Sequence, residues 1–156
     1  MSLPNGENSI IIVGAANTHY APDTKELHPD WKEAIKASKI VLLQREIPEF
    51  INILAAKEAK ESGAMVVLDV GGRDEPLSHE LLQNVDYFSP NETELERVLG
   101  KKCSSMEEVD SEVNTLLEKY PSMKVVLKQG EFGCSYYEKK DGVVQKISKP
   151  AFQFEQ

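Results

Sequence analysis

The chain has 156 residues, 40% of them apolar, and its 26 acidic against 18 basic side chains leave a net charge of −8. That length and composition fit one globular domain, and the acidic excess argues against a phosphate-backbone footprint, so nucleic acid is not an expected partner. The longest apolar stretches, SIIIVGAA and MVVLDV, fall far short of the roughly 20 residues of a membrane span, no basic-then-apolar leader opens the chain, and Cys103 and Cys134 lack metal-ligand spacing, so the expectation is a cytoplasmic protein with reduced thiols.

In chain order, SIIIV at 9–13 is the first short β-branched run and is expected to be a strand. A helix is expected at about 30–38, then a strand at IVLLQ, 40–44. PEFINILAAKEAKESGA follows, with Pro48 where a first turn tolerates it and Gly63 where a C-cap needs it, which predicts a helix of about four turns. MVVLDV at 65–70 closes a strand, helix, strand unit of the kind that builds a parallel sheet with a right-handed crossover. Helices at 91–99 and 105–119 lead to a strand at KVVLK, 124–128. In the second helix Met106, Val109, Val113, Leu116 and Leu117 form the apolar stripe, and its acidic side is a solvated face. Beyond 128, two alternating runs flank Asp141-Gly142, a strong hairpin signal, so an antiparallel edge should follow a parallel core. The architecture expected is α/β, layered, with helices flanking a mostly parallel sheet.

Ligands of open α/β sheets bind at the carboxyl ends of strands. The residues there are Arg45-Glu46, Val70-Gly71-Gly72-Arg73, Asn91, and Gln129-Gly130 with Gly133 beyond. Gly71-Gly72 and Gly130-x-x-Gly133 allow a close backbone approach to a phosphate, though glycine after a strand is also an ordinary turn. Asn91 with Glu94 three residues on reads as a capping box, and the same helix start could face a metal-bound phosphate. Glu46 could simply complement a helix dipole. His19, His28 and His79 have no nucleophile beside them in the pattern and are read as exposed or packing residues.

The segments GENSIIIVGAAN, IVLLQREIP, VVLDVGG, VDYFSPNETELERVLG and VVLKQGEFG stand in the order and approximate spacing of the ribokinase-like (PfkB) carbohydrate kinases. The resemblance covers nearly the whole chain; QREIP and PNETE followed by Leu-Gly are its most specific parts and point within the family to ribose-phosphorylating members. It implies a Rossmann-like α/β sandwich with a small β lid, residues 6–12 belonging to or bordering the lid and 13–156 forming the central α/β portion. It implies ATP and Mg2+ as cofactor set, with transfer to a primary hydroxyl of ribose. It places Glu46 on a sugar hydroxyl and Asn91 at the nucleotide phosphates. Glu94 would act on magnesium through water, and Lys128, Gln129, Gly130, Glu131, Phe132 and Gly133 would form the loop along the nucleotide. Lys128 stands where the family usually has threonine, and its ammonium could reach a phosphate or point away. The family's Asp-Thr-x-Gly-Ala-Gly-Asp segment, which carries base and anion hole, does not occur in these 156 residues. The expectation is therefore a partial domain, roughly the middle half, inactive as a kinase alone and binding ATP weakly at best. A homo-oligomer paired through lids is one option. The alternatives are a non-catalytic binding or regulatory module on the same fold, and a kinase for another sugar or a nucleoside.

Overall fold

A computed structural model describes residues 13–19, 25–72 and 75–152. The predicted lid strand at 6–12 and all but Val13 of the strand at 9–13 lie outside the described residues, and Val13 itself is irregular. The elements in chain order are α1 (Ala16–His19), α2 (Pro29–Lys36), β1 (Ile40–Leu43), α3 (Glu49–Glu61), β2 (Met65–Asp69), α4 (His79–Leu82), β3 (Tyr87–Ser89), α5 (Glu92–Leu99), α6 (Met106–Lys119), β4 (Lys124–Lys128), β5 (Cys134–Lys140) and β6 (Val143–Lys149).

The sheet runs β1-β2-β3-β4-β5-β6, parallel from β1 to β4 and antiparallel from β4 to β6. Its strands add in sequence order, and crossovers between parallel strands are right-handed. Successive crossovers in one direction therefore stack their helices on one face. That face carries Leu43, Val66, Leu68, Phe88, Val125, Leu127 and Tyr137, buried in one cluster with Ile51, Ala55, Ala56 and Ala59 of α3, Leu81 and Leu82 of α4, Leu95 of α5, and Val109, Val113, Leu116 and Leu117 of α6. The opposite face alternates with it along each strand. Ile40, Leu42, Met65 and Ile147 lie there exposed.

The caps follow from local chemistry. Pro48 sits at the N-cap of α3 rather than inside it, and Gly63 follows the C-cap at φ +74°, the left-handed region that favours glycine. Asp141 and Gly142 both take positive φ and close the β5–β6 hairpin as the sequence predicts. Met106 departs from the expected stripe and is partly exposed at the first position of α6, its sulfur accepting from Gln129 Nε2 at 3.3 Å. His28 caps α2, accepting from the Asp30 amide, and His79 Nδ1 meets the Tyr120 hydroxyl at 2.8 Å. Both histidines are exposed, and each makes a hydrogen bond. Cys103 and Cys134 are free, and burial, with Glu96 close by, pushes the Cys103 thiol up.

Candidate functional site

The carboxyl ends of β1, β2, β3 and β4 bring the polar residues of the sequence to one edge. Glu46, exposed, follows β1. Three hydrogen bonds fix residues 44–46. The Glu46 amide donates to Gln44 Oε1, Asn52 Nδ2 holds the Gln44 carbonyl at 2.6 Å, and the buried Arg45 guanidinium donates to the Glu75 carbonyl. That last bond ties the loop after β2 to the end of β1.

The Gly71-Gly72 pair occupies the space between Glu46 and Glu94. A Cβ at Gly72 would lie 3.2 Å from Glu46 Cγ and from the Arg45 carbonyl carbon, and φ is +117° there. A Cβ at Gly71 would lie 3.4 Å from Glu94 Oε1 and 3.5 Å from Asp69 Oδ1. The pair thus lets the loop pass between two acidic side chains that the sequence separates by 48 positions.

Asn91 and Glu94 form a complete capping box on α5. Asn91 Oδ1 accepts from the Glu94 amide at 2.8 Å, and Glu94 Oε2 accepts from the Asn91 amide at 2.7 Å. The helix start is also the site: Asn91 bridges to Lys128, the last residue of β4, and the buried Glu94 carboxylate lies 3.7 Å from the Lys128 ammonium at the same edge. Lys128 does not point away from this edge. Its ammonium donates to both Asp69 oxygens at 3.1 Å and lies 3.7 Å from Glu94 Oε2. Asp69 is the residue the sequence reading passed over. Its signal was present, since it is the only charge in MVVLDV and ends a strand whose neighbours end in site residues.

The loop after β4 makes a 3-10 turn at Gly130–Phe132, with Glu131 and Phe132 exposed. Gln129 is held at both ends: its amide donates to the Gly133 carbonyl at 2.8 Å, and its side-chain oxygen accepts from the buried Ser135 hydroxyl at 2.7 Å. Gly130 is open, with no neighbour where a Cβ would stand. Gly133 has a reason inside the chain for being glycine, because a Cβ there would be 2.0 Å from the Lys149 carbonyl oxygen.

The pfkB family carbohydrate kinase model matches residues 1–151. The chain belongs to that family. Its sequence is similar to a ribokinase of Arabidopsis thaliana, 41% identical over 153 residues, covering 98% of this chain and 40% of the relative. A ribokinase of Lactococcus lactis is 31% identical over 139 residues, or 88% of this chain and 41% of that protein. Among solved structures, Arabidopsis thaliana ribokinase complexed with ribose and ATP matches all of this chain and 48% of its own, with a TM-score of 0.84 at 38% identity. The chain therefore spans less than half the length of these pfkB relatives and carries the ribokinase-like α/β fold over that span.

The described residues do not suit a directly bound magnesium. No three carboxylate, histidine or cysteine groups among them converge, and the two carboxylates that do approach each other have the Lys128 ammonium against both.

Proposed function

We propose that this chain supplies one wall of the active site of an ATP-dependent kinase that phosphorylates ribose at its primary hydroxyl. The observation that carries the reading is the Gly71-Gly72 contact, which brings Glu46 and Glu94 to the same edge with only a glycine pair between them. Glu46 is the sugar-side residue: a rigidly backed, exposed carboxylate accepts a hydrogen bond from a sugar hydroxyl. The start of α5 and the loop from Lys128 to Gly133 form the nucleotide side. There Asn91 holds the helix start in place, and the held Gln129 with the open Gly130 gives the nucleotide a fixed surface. Magnesium arriving with the nucleotide would neutralise phosphate charge, and Glu94 would meet it only through water. Catalysis of this kind rests on positioning and charge stabilisation, and these residues contribute the positioning. The similarity to a ribokinase solved with ribose and ATP supports both substrates.

The test uses a chimera in which this chain replaces the matching 40% of the Arabidopsis ribokinase. Glu46→Ala in the chimera is expected to raise the KM for ribose about tenfold or more and leave that for ATP within about threefold, because a hydrogen bond to a charged group contributes ~1.5–3 kcal/mol. Equal effects on both substrates would remove Glu46 from the sugar. A panel of pentoses, hexoses and nucleosides separates ribose from other acceptors, and a better substrate than ribose would overturn the ribose assignment.

A further inference from the structure

We propose that Lys128 is the resident cation of this edge, its ammonium holding the place between Asp69 and Glu94 that a divalent ion would otherwise fill. Asp69 ends β2, Glu94 lies in the first turn of α5 and Lys128 ends β4. Three elements therefore deliver one positive and two negative groups to a single point. The ammonium contacts both Asp69 oxygens at 3.1 Å and Glu94 Oε2 at 3.7 Å.

From the other side, Glu94 Oε1 and Asp69 Oδ1 converge on Gly71, 3.4 and 3.5 Å from where a Cβ would be. Two carboxylates converging on one small residue repel each other unless a cation lies against them. Oxygen-only ligands of that kind suit magnesium or manganese. A lysine on β4 supplies the charge at every metal concentration, its ammonium donating to both Asp69 oxygens and pairing by charge with Glu94.

The consequence for the site is a fixed charge balance. Any magnesium used in phosphoryl transfer enters with the nucleotide, and Lys128 acts as a positioning residue that keeps Asp69 and Glu94 in register while a polyanion approaches. That last clause rests on the kinase reading above; the metal exclusion does not.

Manganese binding to the 156-residue chain, followed by the loss of the free-ion electron paramagnetic resonance signal, tests the proposal without nucleotide or turnover. The native chain is expected to leave the signal unchanged through the millimolar range. Lys128→Ala is expected to take up one equivalent at least tenfold more tightly than the native chain, and adding Asp69→Asn should abolish the uptake. Lys128→Met keeps the aliphatic stem and replaces Lys128→Ala if circular dichroism shows that the alanine variant is unfolded. Uptake by the native chain that Asp69→Asn removes would overturn the proposal, as would a folded Lys128 variant that gains no manganese. Neither outcome bears on whether the chimera phosphorylates ribose, so the two readings fail separately.

Discussion

A glutamine at position 94 keeps an oxygen for the Asn91 amide but loses the charge, so it separates the two roles of Glu94. Glutamine serves at the third position of a capping box as glutamate does. The stability change of Glu94→Gln in this chain is therefore expected not to exceed that of a lost cap, ~0.5–2 kcal/mol. In the chimera the same variant is expected to lower turnover at least tenfold, because on the proposed reading the missing charge is the one that meets magnesium through water. Melting curves on the chain beside steady-state rates at varied magnesium decide the matter. A shifted melting point with unchanged kinetics would make Glu94 a cap and nothing more. The Asn91 and Glu94 pair was legible in the sequence because a capping box is a local pattern within one helical turn. The contact of Lys128 with Asp69 was not, since it joins positions 59 apart through side chains whose direction only the folded sheet fixes.

Among the elements, the antiparallel edge is tied to α6 by polar contacts, Lys139 of β5 with Glu118 and two side chains with Asp110. The buried Tyr137 of β5 donates its hydroxyl to Asp110 Oδ1 at 2.7 Å, and Lys146 of β6 pairs with the same carboxylate at 2.8 Å. Burial, then the Asp110 hydrogen bond, holds the Tyr137 phenol well above its usual value near 10. Its folded pKa is raised above the unfolded one, so the stability it contributes is fully present below pH 10 and is lost as pH rises through the folded value. Tyr136, pushed up to about 12 by burial and by its bond to Glu138, acts in the same direction. Tyr137→Phe is expected to cost ~1.5–3 kcal/mol at neutral pH and to flatten the fall in melting temperature above pH 10. Parallel melting curves for the two proteins across that range would contradict this. The hairpin itself was predictable because Asp141-Gly142 encodes its turn locally. So were β4, a short β-branched run, and the long helices, α3 from Pro48 and Gly63 at its ends and α6 from its apolar stripe at Val109, Val113, Leu116 and Leu117. The four-residue helix α4 escaped: its cap, Ser78 accepting from the Leu81 amide, follows a loop, and one turn holds too few apolar positions to show a period.

At the scale of the molecule, the sheet formed by the described residues is covered on one face, and among those residues no helix covers the other. Parallel sheets ordinarily carry helices on both, yet Leu42 is 76% and Ile147 54% exposed. The sequence showed the alternation of strand and helix but could not show this asymmetry, which arises from strands adding in one direction under right-handed crossovers. The site is one-sided in the same way. Glu46, the glycine pair, the start of α5 and the loop after β4 form a wall, whereas pockets that hold ligands of nucleotide size bury about 70–90% of them. A wall alone is expected to bind ATP weakly and to transfer no phosphate. The decisive measurement is ribose-dependent ADP release, in the presence of ATP and magnesium, by the chimera and by the 156-residue chain side by side. An active chimera with a silent chain is expected. A folded chimera that releases no ADP in response to ribose would contradict the kinase reading, and ribose-dependent release by the chain alone would contradict the claim that these residues form only one wall of the site.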